Sequence, residues 1–407
     1  MRAKALVSDQ GQWSRVFFWA DVAFMGGLGI IILSLPISEG FKNAGYFITL
    51  GGWLTKRAAT RDFRITFTPV GVFLSLYLLV SLLSATSAID SWEGMRGTWD
   101  VFRPLSLFLM MVNDIDSAPK VQLCTWLFVT STGISVAWSL VNYFTRHDLR
   151  LDLKSLGHPN TTAMYLVMMS ALLISLLLLM DWTVYGRMAV GALAGATFLA
   201  LFLTYSRGGW MAFLACLIFL SISLKRVKPI LAVALLTIAI LVVLQITGRL
   251  WTWRVKMLAN VTQEENVLER IKIWKGSLLS LKERPLLGVG PRNFKNLDHR
   301  RYGFKQTYRD AHNLLLNTAV ERGGMGLLVL LALLACYFWK GMSLRRKLMG
   351  GLDRALWHAA MGSFVAIVVG GLFNTALHSE VAIAFWLLTA LMLAPMREVK
   401  PSQEGLA

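Results

Sequence analysis

The chain has 407 residues, 56% of them apolar and 16% charged, with 41 Lys/Arg against 23 Asp/Glu for a net charge of +18. A mean hydropathy of +0.56 excludes a soluble globular domain, and continuous rather than alternating apolar runs exclude a membrane β-barrel. The three cysteines, Cys124, Cys216 and Cys336, lie inside apolar runs and offer neither a disulfide framework nor a metal spacing.

The pattern predicts an all-α polytopic membrane protein with about twelve transmembrane helices. They fall at 16–36, 43–55, 67–87, 97–113, 120–143, 161–180, 187–205, 208–224, 229–247, 323–340, 355–377 and 380–396. Most are near the roughly 20 residues that cross a hydrocarbon core. The first run is too long for a signal-peptide core and reads as an anchor. The second is short and interrupted by Gly51–Gly52. One membrane domain results: helices one to nine over 1–247, a polar segment over 248–311, and helices ten to twelve over 312–407.

Short loops carrying Lys56, Arg57, Arg61, Arg64, Lys120, Arg187, Lys225, Arg226 and Lys228 alternate with loops poor in Lys and Arg. By the positive-inside bias this places both termini in the cytoplasm. Residues 248–311 then lie outside, with fourteen Lys/Arg against six Asp/Glu, a net charge of +8. Long loops cross regardless of charge, but such a charge invites an anionic partner; phosphorylated lipids or glycans fit, and nucleic acid does not. Contact with anionic headgroups is the simpler alternative.

Within the run FLALFLTYSRGGWMAFLACLIFL, 198–220, Arg207 is the one charge. At mid-bilayer it would cost roughly 2.5–3.5 kcal/mol. The topology instead puts Ser206-Arg207-Gly208-Gly209 at an outer hairpin tip, with the glycines easing the reversal. Arg207 there either snorkels to the interface or binds something. Further on, Val267, Ile271, Trp274 and Leu278 recur at helical spacing and describe an amphipathic helix able to lie on the membrane. Glu269 and Lys272 point away from that stripe, and Arg270 flanks it.

Five of six histidines fall outside: His147, His158, His299, His312 and His378. His312, in Arg309-Asp310-Ala311-His312-Asn313, opens a helix that Asp310 can cap, which puts His312 in its first turn. An imidazole there can take a proton from a hydroxyl or simply bond to backbone or water. Arg103, apparently a turn or more below the outer surface in span four, is either a site residue or a partner of Asp100. The outer acids are scattered, with no carboxylate cluster suited to Mg²⁺ or Mn²⁺ and no phosphate-binding Gly-rich loop. Phosphate chemistry would fall to arginines, whose planar fork binds phosphate oxygens in pairs.

Four motifs in order resemble one family. They are Tyr205-Ser206-Arg207-Gly208-Gly209-Trp210; Glu269-Arg270 with Trp274; Pro285-Leu286-Leu287-Gly288-Val289-Gly290-Pro291-Arg292-Asn293-Phe294; and His312-Asn313-Leu314-Leu315-Leu316 with Glu321-Arg322-Gly323-Gly324-Met325-Gly326. Gly157-His158-Pro159-Asn160 fits as well. Over roughly 150–340 the chain is similar to the O-antigen ligase and polymerase superfamily.

The resemblance implies a GT-C-type glycosyltransferase in the bacterial inner membrane with a periplasmic active site. It would move a preassembled glycan from undecaprenyl diphosphate to lipid A–core, with inversion and without a metal cofactor. Arg207 and Arg270 would grip the diphosphate and His312 act as base. Arg292, Asn313, Tyr302, His378, Trp274, Arg103 and His158 are further substrate-binding candidates, although His378 could equally cap a helix. Both lipids could enter from the bilayer beneath the 267–280 helix. An O-antigen polymerase and a protein O-oligosaccharyltransferase share the donor and differ in acceptor. A lipid-linked glycan transporter is the reading from another class, but no internal repeat of the transporter kind is visible.

Overall fold

The computed structural model describes residues 2–146, 148–225, 263–304, 306–347, 350–377 and 379–394. The ninth expected span, 229–247, and the tryptophans Trp251 and Trp253 lie outside the described residues, as does His378. Among the described residues there are twelve α-helices and no strand. They are α1 (Arg2–Ser34), α2 (Glu39–Thr60), α3 (Pro69–Thr86), α4 (Ser91–Asp114), α5 (Ala118–Arg146), α6 (Pro159–Leu179), α7 (Val184–Leu203), α8 (Arg207–Leu224), α9 (Gln263–Glu283), α10 (Leu314–Leu344), α11 (Gly351–Gly371) and α12 (Ser379–Leu393). The protein is an all-helical, multi-pass membrane protein.

Eight of these helices, α1, α3, α5, α6, α7, α8, α10 and α11, are long and apolar enough to span a bilayer. Three other expected spans also form helices but differ in kind. The 15 residues of α12 rise only about 22 Å, and its side chains are almost all buried among neighbours. Helices α2 and α4 carry charges, most of them answered by a partner. Near their far ends Lys56 meets Asp21 at 2.6 Å and Asp114 at 3.1 Å, while Arg57 meets Asp114 at 2.6 Å. Pairing of this kind is what lets ionisable groups persist beside a membrane.

Gly51–Gly52 does not interrupt α2, which runs unbroken for 22 residues. A Cβ on Gly52 would stand 2.5 Å from the Phe24 backbone nitrogen, and one on Gly27 2.5 Å from that of Thr49. The glycines therefore let α1 and α2 pack backbone to backbone, the small-residue mode of membrane helix pairing.

Alternation of the helices gathers one set of turns at a single face. The α5–α6 connection bonds to the α1–α2 turn (Ser155 N–H to Pro36 O, 3.3 Å) and to the end of α7 (Leu151 N–H to Leu203 O, 2.9 Å). Lys42 at the start of α2 pairs with Glu380 at the start of α12. Helix α6 is enclosed by α7, α8 and α11 and is buried along most of its length.

On the same face, α9 and residues 284–313 form a cap with its own core of Ile273, Val289, Phe294, Leu297, Phe304, Ala311 and Val320. The helix α10 begins at Leu314, nine residues before the expected 323, and is broken at Gly323 (φ 66°, ψ −170°). Only glycine adopts that conformation without strain. The break frees α10 backbone to receive the 285–290 segment: Val289 N–H bonds Val320 O at 2.9 Å, Gly290 N–H bonds Glu321 O at 2.9 Å, and Gly324 N–H bonds Pro285 O at 2.7 Å. A Cβ at Gly323 would sit 2.1 Å from Leu286 O. Gly323→Ala is therefore expected to lower stability by about 2 kcal/mol or more, seen as a reduced unfolding temperature of the detergent-purified protein.

Candidate active site

The expected hairpin tip is resolved differently from the sequence reading. The reversal between α7 and α8 is made by Thr204–Ser206, with Tyr205 at φ 52°, and Arg207 is the first residue of α8. Ser206 caps that helix, its hydroxyl accepting from Gly209 N–H at 3.2 Å. Gly208 and Gly209 serve packing rather than the turn. A Cβ on Gly209 would lie 2.5 Å from Ala163 Cβ of α6, and one on Gly208 2.9 Å from Asn374 Nδ2. Trp210 stacks on Phe202, centroids 4.9 Å apart.

Arg270 extends from α9, whose packed face is Ile273, Gly276, Ser277 and Ser280, leaving Leu268, Ile271, Leu278 and Leu279 exposed. Trp274 anchors the helix by donating from Nε1 to Ala311 O at 3.1 Å. Glu269 does not point away as its place on the helix suggests. It accepts a hydrogen bond from the Tyr308 hydroxyl, a partner too distant in sequence for the helical pattern to reveal.

His312 also departs from expectation. Asn313 is the cap of α10, its Oδ1 accepting from Leu316 N–H at 2.9 Å while its Nδ2 donates to Leu372 O at 3.1 Å. His312 precedes the helix in a left-handed conformation, φ 51°. Asp310 holds it instead of capping: one carboxylate oxygen accepts from His312 N–H at 2.8 Å and lies 3.2 Å from Nδ1. A proton on Nδ1, facing the carboxylate, leaves Nε2 free to accept.

These parts meet. Burial lowers the Arg270 pKa first, and the nearby Arg207 charge lowers it further against the opposing pull of Asp310. His158, which caps α6 by accepting Asn160 N–H at Nδ1 (3.1 Å), is brought beside Asp310, His312, Arg150 and Arg309. Crowding by surrounding atoms lowers its pKa first; Asp310 opposes, while His312 and the two arginines lower it further. His158 is thus a neutral ring at neutral pH with its proton on Nε2. The start of α8 packs on that of α6 through Gly209 and Ala163, His158 and His312 bring the starts of α6 and α10 near each other, and each helix N-terminus adds positive potential.

Among the described residues neither Arg207 nor Arg270 has an ion-pair partner, whereas some other arginines do. Arg322 pairs with Glu321 at 3.0 Å and Arg301 with Glu283 at 2.8 Å. Two close, unpaired guanidinium groups repel, and an anion between them relieves the repulsion. No three His, Cys, Asp or Glu side chains among the described residues cluster as metal ligands do.

Residues 192–331 match the family model described as O-antigen ligase. The matched segment contains Arg207, Arg270, Trp274, Arg292, Tyr302, His312 and Asn313, and leaves Arg103 and His158 outside its bounds. Comparison with curated proteins gives no match.

The remaining candidates lie elsewhere. Tyr302 donates to Glu283 at 2.6 Å, at the other end of α9; thirteen residues of helix separate Glu283 from Arg270, a rise of about 20 Å. Arg292 pairs with Asp100 at 3.1 Å and Glu93 at 3.4 Å. Arg103 pairs with Asp100 at 3.2 Å and donates to Asn43 at 3.0 Å. Both line a second cavity that Arg207, Arg270 and His312 do not. Asp310, Tyr308, Arg150 and Arg309 are site neighbours that the sequence reading did not single out as such; the short spacing Asp310-x-His312 was the available signal.

Proposed function

We propose that the protein transfers a preassembled glycan from undecaprenyl diphosphate to the lipid A–core oligosaccharide, at the periplasmic face of the bacterial inner membrane. The observation that carries this reading is the pair of guanidinium groups, Arg207 and Arg270, which have no ion-pair partner among the described residues and stand beside an imidazole held by Asp310. A lipid diphosphate is a good leaving group that needs charge stabilisation rather than a proton. The two arginines and the adjoining helix N-termini supply it, in the role a divalent cation has elsewhere.

In the step itself the acceptor hydroxyl oxygen bonds to the anomeric carbon as the bond from that carbon to the diphosphate oxygen breaks. The electron pair leaves with undecaprenyl diphosphate, and the hydroxyl proton passes to His312 Nε2. Attack opposite the leaving group inverts the anomeric centre. Asp310 stabilises the imidazolium that forms, and general-base help of this kind is worth about 10²–10⁴-fold. The neutral His158 would donate to a substrate oxygen, Asn313 holds the turn that carries His312, and Trp274 fixes the arginine helix. The exposed apolar face of α9, Leu268, Ile271, Leu278 and Leu279, suits a helix resting on the bilayer where lipid substrates arrive.

The test is transfer by the purified protein from carrier-linked glycan, with rough lipopolysaccharide, free carrier-linked glycan and a protein offered as acceptors in parallel. Transfer to lipopolysaccharide, undiminished by excess chelator, is expected. Extension of carrier-linked glycan alone would mark a polymerase, modification of the protein acceptor an oligosaccharyltransferase, and strict divalent dependence would remove the arginine-only account.

A further inference from the structure

Away from the diphosphate site lies a cavity of about 440 Å³ between the first turns of α2, the outer half of α4, the start of α12 and the Arg292 turn. Its size falls in the range of roughly 300–1,000 Å³ typical of small-molecule sites. It exists because α4 begins farther out than α2. Thirteen residues separate the α4 cap, Asp90, from Arg103, about 20 Å of helix, yet Arg103 bonds Asn43 near the beginning of α2. The charged outer half of α4 therefore stands as a wall beside the shorter neighbours, and Arg103 lies level with the outer end of α2 rather than deep among spans.

The chemistry of the lining differs from that of the diphosphate site. Each cation has a carboxylate beside it: Lys42 has Glu380, Arg103 has Asp100, Arg292 has Asp100 and Glu93, and Arg96 has Glu93, with Asp100 and Glu93 each shared. The positive charge is thus largely offset, and donors and acceptors of fixed direction line the walls. The Arg103 Nε–H is buried with no hydrogen-bond partner among the described residues. Trp99, 40% exposed, stacks on Phe102 and meets Tyr46 edge-on, and Phe47 is 61% exposed beside it. Flat aromatic faces next to paired guanidinium and carboxylate groups suit a hydroxyl-rich ring, whose C–H face rests on the aromatics while vicinal hydroxyls bond the ion pairs.

We infer that this cavity is a saccharide subsite, which binds a neutral sugar of one of the two glycan substrates while the transferring bond sits at Arg207 and Arg270. The inference rests on the glycosyl-transfer reading, and it names a second contact made by the same reaction's substrates. The sugar belongs either to the acceptor or to the donor glycan, and the two arms of the test separate these sources.

The test uses the full-length protein in nanodiscs and three probes, each titrated with ligand-observed NMR: the deacylated core oligosaccharide, a lipid-free oligosaccharide of the donor repeat, and inorganic pyrophosphate. One oligosaccharide is expected to bind the wild type and to weaken about tenfold or more in Trp99→Ala and Arg103→Lys, the loss of about one charged hydrogen bond or ring contact. Phe47→Ala, at a well-exposed position, gives the same direction should Trp99→Ala fold poorly. Pyrophosphate is expected to show the reverse pattern, weakened by Arg207→Ala and untouched by the cavity variants. Equal oligosaccharide binding in all these proteins, or none in the wild type, overturns the inference. If Arg207→Ala at the same time loses pyrophosphate and turnover, the diphosphate reading stands alone.

Discussion

Alanine at Arg207 or at Arg270 is expected to cut glycan transfer by about 10²–10³-fold or more, the range for removing one preorganised group from a developing negative charge. The loss should appear in turnover by purified protein, with the unfolding temperature unchanged or slightly raised. That combination follows from the geometry: neither guanidinium has a carboxylate partner among the described residues, and Arg207 depresses the Arg270 pKa. Removing one of two repelling charges costs the fold nothing. Lysine at either position restores the charge without the planar fork, so partial recovery is expected. Wild-type turnover in both alanine variants would sink the diphosphate assignment.

His312→Ala is expected to lower turnover by about 10²–10⁴-fold with donor binding retained, since the imidazole acts on the acceptor and not on the diphosphate. Asp310→Asn should lose less, because the ring keeps its place in the chain but loses the carboxylate 3.2 Å from Nδ1 that stabilises its protonated form. Donor binding is checked by competition with inorganic pyrophosphate. If His312→Ala weakens pyrophosphate as strongly as Arg207→Ala does, His312 is a donor ligand instead of a base.

Much of this was legible in the chain. Apolar run lengths marked the helices, and the four motifs in order pointed to the family whose model matches residues 192–331. Less legible was anything set by contacts between distant segments. The reach of Tyr308 to Glu269 and of Asn313 to Leu372 belongs to tertiary packing, which helical periodicity does not encode. The role of Asp310 was misread because an acid just before a helix fits a cap as readily as a histidine partner; Asn313, one position beyond His312, took the cap. Arg103 in α4 looked costly when that span was read alone; it shares Asp100 with Arg292, which reaches it from far along the chain.

The interlock of the 285–290 segment with the break at Gly323 changes what a mutational scan of this protein would report. Two of the most recognisable signatures, Pro285–Phe294 and Glu321–Gly326, grip one another through Gly288, Gly323 and their backbone groups. Substitutions at Gly288 or Gly323 should reduce how much protein accumulates while the surviving molecules work at nearly normal speed. Substitutions at Arg207, Arg270 or His312 should leave abundance intact and silence each molecule, so normalising yield against copy number would sort the signature residues into scaffold and chemistry.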